Sequence, residues 1–496
     1  MVPPARILPL LAVAFALTGC ASAGQAWRAG PAGIPAERSL RAQMVAGQYG
    51  SALEALKDKN IAPSDALLRQ MYKGLVAMHA GQSELGTRAL DRAWEITDQR
   101  WTKRLSDGAA SMVTGDGALP YYPGPAERMM IPYYGGLNWL ARNERDEAAV
   151  EARRLSVLLA SESGSMPGPQ FQGAMRYVAG VLFEAAGERN DADVAYRNAS
   201  VLLNGALPGD TLPSDDAHGD VVVLIEDGFV ARPEPASTEF WVSGDEIDVL
   251  NGHDEARRLA AYETVNRRRS ERHDGGSQTS YRSVSVRRPV MDAGAPDRGA
   301  TLLGARAWRP DSLGGPIEAN TIAMSVSDAV RADFESQQPG RISRAIARAA
   351  LRDVELHAAE GAFKAAGEMI GDDDDKKDKD VKKDKDTKKG KGNKGSDDDG
   401  GSGMGWAIAG AILLGIGLLA AHVGSQILDQ PDLRAWQLLP DRVTVARVRL
   451  PVGDHPIEVM RDGEVVSLGT VTVRPGSVTV LVHRWWPGQP VVAVMP

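Results

Sequence analysis

MRYVAGVLFEAAGERNDADVAYRNASVLL, residues 175–203, decides how the first half of the chain folds. Its small residues Gly180, Ala192 and Ala199 and its large ones Phe183 and Tyr196 recur at the spacings that let two helices pack closely across a short turn. YKGLVAMHAGQSELGTRALDRAWEI, residues 72–96, has the same arrangement at Gly74, Ala77, Gly86, Leu90 and Ala93. Residues 133–159 have it at Gly136, Trp139, Ala148, Ala152 and Leu155, and a degenerate first unit supplies Ala52 and Leu56. Small residues allow close helix approach and large ones fill the groove between neighbouring pairs. The agreement favours a tetratricopeptide-like (TPR-like) solenoid over 36–205, of about four helix pairs, over a generic alanine-rich bundle.

The period is irregular, because Gly74 and Gly136 are 62 residues apart and Gly136 and Gly180 only 44. The excess falls in SDGAASMVTGDGALPYYPGPAERMM, residues 106–130, too rich in Gly and Pro to be one continuous helix. Such insertions often carry binding. Tyr121 and Tyr122, with Tyr133 and Tyr134, are expected near Glu127 and Arg128, as apolar anchors that return the excursion to the helices. Asp116 in Thr114–Gly117 reads as a turn residue rather than a cation ligand.

At residue 219 the pattern changes. GDVVVLIEDGFV reads as a buried strand entering a tight turn. Residues 206–370 form a mixed strand and helix region with an Arg/Ser/Gly-rich insertion near 267–300, in which only SYRSVSV alternates like a strand. A helical pattern over 326–370 is expected to break at Pro339-Gly340. Residues 372–403, almost wholly Asp, Lys, Gly and Ser, read as a disordered linker. Residues 429–496 alternate strongly between turns such as Arg-Pro-Gly-Ser and predict a small antiparallel β module. The fold class expected is α+β and multidomain: helical solenoid, middle α/β segment, C-terminal β module.

The chain has 496 residues, a net charge of −8 and a single cysteine, Cys20, so intramolecular disulfides are excluded and no basic excess points to nucleic acid. Residues 1–19 have the positive start, apolar core and small-residue end of a signal peptide. Leu17-Thr18-Gly19-Cys20 resembles the lipobox of bacterial lipoproteins, which implies lipidation at Cys20 and a membrane anchor through it. The following Ala21, rather than aspartate, implies an outer-membrane location facing the periplasm.

GWAIAGAILLGIGLLAAHVG, residues 405–424, within an apolar helix expected over 404–428, carries no charged residue and is long enough to cross a bilayer. A span would place the preceding flank, with ten Lys between 376 and 394, on the exported side, against the positive-inside rule. Its five glycines suit close helix packing. Burial or self-association is therefore the reading preferred to a transmembrane helix.

Three stretches together resemble a family of uncharacterised bacterial lipoproteins. They are Glu127-Arg128, Tyr134, Leu137-Asn138 and Val150–Arg154 in the first; GDVVVLIEDGFVARPEP in the second; and Asp432, Arg434, Trp436, Leu439 and Pro440 of DLRAWQLLP in the third. ISRAIARAALRD, residues 342–353, fits a fourth, helical element. The 267–300 and linker segments depart from the family as insertions. The family carries no established activity; the resemblance implies a role in envelope assembly.

For chemistry, the eight histidines show no pair at metal-ligand spacing, no Gly-X-Ser-X-Gly motif occurs, and the lone cysteine is assigned to the lipid. No metal, cofactor or catalytic residue is expected. Glu151, Arg153 and Arg154, with Glu127 and Arg128 on the neighbouring helix, are the candidate partner-binding charges, and could join in one ion-pair network. Asp432, Arg434 and Trp436 would share a side if extended, with the arginine held by the aspartate and stacked on the indole as a structural latch. The expected function is a non-catalytic envelope scaffold that binds protein or peptide partners. The alternatives are an enzyme acting on cell-wall polymer, with paired carboxylates, and an accessory subunit of an envelope pore or secretion assembly.

Overall fold

A computed structural model describes residues 37–57, 63–101, 120–161, 167–208, 217–252, 254–270, 281–292, 303–307, 316–350, 431–461 and 463–486. The signal segment with Cys20, the greater part of the 106–130 insertion, the 372–403 segment and the 404–428 apolar stretch lie outside the described residues. The chain is a mixed helix and strand fold that divides into two compact units, one of residues 1–236, 288–341 and 431–496 and one of residues 237–287 and 342–430.

The first unit begins with helices that fold back on one another in sequence: α1 Glu37–Val45, α2 Tyr49–Ala55, a 3-10 turn Pro63–Asp65, α3 Ala66–His79, α4 Ser83–Trp101, α5 Pro125–Ala141, α6 Arg145–Ser161, α7 Pro169–Ala185 and α8 Arg189–Leu202. One cap recurs at four of the turns. Gly47, Gly81, Asn143 and Gly187 all have φ between +60° and +83°. At each, that residue's N–H bonds a carbonyl three residues back and the next N–H one five back, as in Gly81 to Met78 and Gln82 to Ala77. This paired closure satisfies the last carbonyls of the first helix and starts the second at once. Close approach between helices needs the glycines that the repeat pattern marks. A Cβ on Gly180 would stand 2.5 Å from the Tyr196 ring, one on Gly136 2.6 Å from Leu182, and one on Gly74 would collide with Leu90.

The strands are β1 His218–Asp227, β2 Pro233–Val242, β3 Arg282–Met291, β4 Leu303–Ala307, β5 Ile317–Glu318, β6 Asn320–Ser325, β7 Arg442–Pro451, β8 Gly453–Arg461, β9 Glu464–Val473 and β10 Val478–Trp485. They make a sheet ordered β10-β1-β7-β6, a second ordered β5-β4-β8-β9 and a β2-β3 ribbon. β1 shows why its sequence lacks polar alternation: Val221, Val223 and Ile225 pack towards Ala305, Ile457 and Val459 of the second sheet, while Val222 and Leu224 pack into the helical core. A strand buried on both faces reads as a continuous apolar run. The first sheet is thus the middle of three layers, with helices on one face and the second sheet on the other.

Two expectations differ from the structure. Residues 442–485 do not form a self-contained antiparallel module, because β7 and β10 belong to one sheet and β8 and β9 to another, and β10 runs parallel to β1 from Asp220↔Val478 to Asp227↔Trp485. The helix over 326–350 (α11) passes without interruption through Pro339-Gly340, since a proline removes one hydrogen bond but packing can hold the turn.

In the second unit, α9 Gly244–Leu250 starts at a capping box in which Ser243 and Glu246 bond each other's backbone. Arg268 of α10 Glu255–Ser270 grips Glu246 with Nη1 and Nη2, at 2.8 and 2.6 Å. This accounts for one of the arginines at the start of the Arg-rich stretch.

Candidate functional site

Residues 431–440 have no regular secondary structure, yet they are buried among the helices of the first unit. Arg434 is the centre of the junction. Its Nε and Nη2 donate to the two carboxylate oxygens of Asp432, both at 2.8 Å, and Nη1 donates to Asp65 at 3.0 Å. Burial works against its charge, but the bonds and charges of Asp432 and Asp65 outweigh it and raise its pKa. The guanidinium lies 5.7 Å from the Tyr121 ring. The latch therefore stacks on a tyrosine of the insertion's end and not on Trp436, because the segment is not extended and the indole turns the other way, edge-on to Tyr134 at 5.7 Å.

Glu127 closes the junction from α5. One oxygen accepts the Trp436 N–H at 2.6 Å and the other accepts the Tyr121 hydroxyl. Burial raises the Glu127 carboxyl, opposed by those same bonds. Tyr72 bridges the backbone by donating to Ala435 O at 2.9 Å and accepting from Gln437 N at 2.8 Å. Tyr133 donates to Glu226 at 3.0 Å, and Glu226 receives Arg484 at 2.9 Å; Arg484 also donates to Leu438 O at 3.1 Å. Arg128 is buried on α5, and Tyr122 is half-buried beside Tyr121 in sequence.

The second group of candidate charges lies elsewhere. Glu151 pairs with Arg154 at 2.5 Å, and Arg154 reaches Asp91 at 2.9 Å while lying 5.2 Å from the Trp94 ring. Glu151 sits so close to Gly135 that a Cβ there would be 2.8 Å from its carboxyl carbon. Burial pushes its pKa up to about 8. Arg153 pairs with Glu188 at the surface. Glu127 and Glu151 therefore do not share one network, as the sequence suggested, because Glu127 faces residues 434–436 and Glu151 faces α4.

A third cluster escaped the sequence reading. Arg447 of β7 donates two bonds to Glu184, both at 2.9 Å, one to Tyr196 at 3.1 Å and one from Nε to Asp220 at 2.7 Å. Arg449 reaches the same aspartate at 2.9 Å. The alternation of RVTVARVRL marks Arg447 as a strand position, but nothing local shows that a helix residue 263 positions away awaits it.

Among the described residues lies an accessible groove of about 680 Å³. Val478–Leu481 of β10 and Leu468 and Thr470–Thr472 of β9 line it, with Leu140, Asn143 and Arg145 at the α5–α6 turn. None of the sequence candidates lines it. Among the described residues no group of three or more His, Cys, Asp or Glu is placed to hold a metal ion, and no helix among them is long and apolar enough to cross a membrane. No protein family, curated protein or solved structure matches the chain.

Proposed function

We propose that the chain is a lipid-anchored envelope scaffold, tethered at Cys20, whose TPR-like helical layer and β layers form one partner-binding body without catalytic chemistry. The observation that carries the reading is where the charges are used. Glu127, Glu151, Glu184 and Asp220 are each buried against an internal partner, whereas the groove beside β9 and β10 is open and lined by an edge strand, β10, whose outer side pairs with no described strand. A hydrolase of cell-wall polymer needs a carboxylate pair reaching a substrate cleft. The raised Glu151 carboxyl has the protonation of a general acid but is covered by Gly135 and Arg154. The resemblance to uncharacterised bacterial lipoproteins, with the envelope-assembly role it implies, supports the same reading, and the 405–424 stretch is kept as a candidate for self-association.

Two measurements test it. Cys20→Ser is expected to abolish palmitate labelling and shift the protein out of the membrane fraction; labelling that persists would refute the anchor. A photocrosslinking residue at Thr470, in the groove, is expected to capture discrete partners in intact cells where one at exposed Arg197 does not. Equal capture at both positions, or release of soluble fragments from purified peptidoglycan that Glu151→Gln abolishes, would overturn the scaffold reading.

A further inference from the structure

β10 is the last strand of its sheet. Its parallel register to β1 is fixed by Asp220 N–H donating to Ser477 O and Gly228 N–H donating to Trp485 O. In such a ladder alternate residues direct both backbone groups to one neighbour and the residues between direct theirs to the other side. The odd-numbered residues of β10 therefore bond β1, and Val478, Val480 and Val482 turn their N–H and C=O away from it. No described strand pairs with that side.

The groove runs along this edge at Val478–Leu481. Two arginines line it, Arg145 at the start of α6 and Arg474 after β9, and the lining contains no carboxylate. Neither arginine forms an ion pair among the described residues. A third cation stands at its end, where Arg189 Nη2 donates to Gly476 O at 3.0 Å.

The geometry points to this groove as the docking site of an extended, acidic peptide segment of a protein partner, which adds to β10 as a further strand with its carboxylates on Arg145 and Arg474. The proposal rests on the scaffold reading and names the partner's chemistry. Extended backbone is required because the outward groups recur every second residue, and a helix has its own groups already bonded. Acidic character follows from two guanidiniums with no counter-charge in the lining. A second copy pairing edge to edge through a two-fold axis would bring the same arginines together, so a self-complementary dimer is disfavoured here.

The probe is a fluorescein-labelled octapeptide of alternating Asp and Val, blocked at both ends, titrated into the full-length protein by fluorescence anisotropy beside its Lys-for-Asp counterpart. Saturable binding of the acidic peptide is expected, at least tenfold weaker in Arg145→Glu/Arg474→Glu and lost in Val480→Pro, whose missing N–H faces the groove rather than β1. The charge-reversed variant should also gain affinity for the Lys peptide, a readout that a misfolded protein would not give. Equal binding of the two peptides by the parent, or undiminished binding by a folded Val480→Pro, would overturn the proposal. So would acidic-peptide binding that appears only after residues 487–496 are deleted, which would make the chain's own tail the occupant, or a dimer abolished by Val480→Pro. If Thr470 still captures partners while the peptide fails, the scaffold reading stands and this assignment falls; if both fail, both fall.

Discussion

Replacing Arg447 with methionine removes the cation that two buried carboxylates share. With Arg447 and Arg449 positive and Glu184 and Asp220 negative, the cluster carries no formal net charge. The Arg447, Glu184 and Asp220 side chains are 3, 4 and 1% exposed, so neither carboxylate can turn to water. In Arg447→Met, Asp220 keeps the half-exposed Arg449, but Glu184 retains only the Tyr196 hydroxyl, at 2.6 Å. Breaking a buried pair by removing one partner costs about 3–5 kcal/mol, and the upper half of that range is expected because all the bonds that Arg447 donates to Glu184, Asp220, Tyr177 and Tyr196 are lost together. Adding Glu184→Gln removes the orphaned charge and should restore more than half of the loss. The assay is urea unfolding at pH 7 followed by tryptophan fluorescence, since Trp436, Trp485 and Trp486 are all buried in the same unit. A loss below about 1 kcal/mol for the single variant, or a double variant no more stable than the single, would refute the reasoning.

Arg434→Met should free residues 431–440 by leaving Asp65 and Asp432 uncompensated, seen as faster amide exchange at Trp436 and Gln437 with α7 and α8 unchanged; uniform exchange changes would refute a local latch. Gly180→Ala should destabilise by about 1–3 kcal/mol through the clash with Tyr196, while Gly50→Ala, whose Cβ would meet nothing within 4 Å, should be neutral or stabilising in thermal unfolding. Because the folded Glu151 holds its proton up to about pH 8, above its unfolded value, its contribution is present at low pH and is lost as pH rises to 8. Unfolding free energy should therefore fall by up to about 1.4 kcal/mol per unit as pH rises from about 4.5 and level off near pH 8, and Glu151→Gln should flatten that slope. His79, pushed down to about 3 chiefly by burial, behaves oppositely: its contribution is present above pH 6.5 and lost as pH falls towards 3, and His79→Phe should lessen acid sensitivity in the same titration.

The helices were legible because their information is local. The repeat pattern marks Gly74 and Gly180 as close-approach positions, and each meets a large residue of its own unit, Leu90 and Tyr196, rather than one of a neighbouring pair. Gly136 was grouped with Ala152 and Leu155, yet it meets Leu182 of the next pair, which a single-unit pattern cannot show. The strand at 219–227 was visible from its composition, but its neighbours were not. Alternation identifies a strand and its faces without naming its partner, so 442–485 looked self-contained. The same limit governs the candidate site. Glu127, Tyr121 and Arg434 could be singled out, whereas Asp65 as the arginine's second acceptor, and the arginines beside the β10 edge, depend on pairings far apart in the chain.

The parallel register of β1 with β10 has a consequence for how the protein is made. Glu226 and the Arg484 that neutralises it are 258 residues apart, and β7, on the other side of β1, is also encoded more than 200 residues later. Until those strands have emerged, the run Val221–Ile225 has no sheet to join and exposes two apolar faces at once, a hazard for aggregation. The helices can close by local contacts as they are synthesised, but the middle layer needs strands encoded more than 200 residues after β1. Folding of β1 therefore waits on β7 and β10, and a product truncated before residue 478 should occupy quality-control machinery rather than accumulate as a smaller working protein.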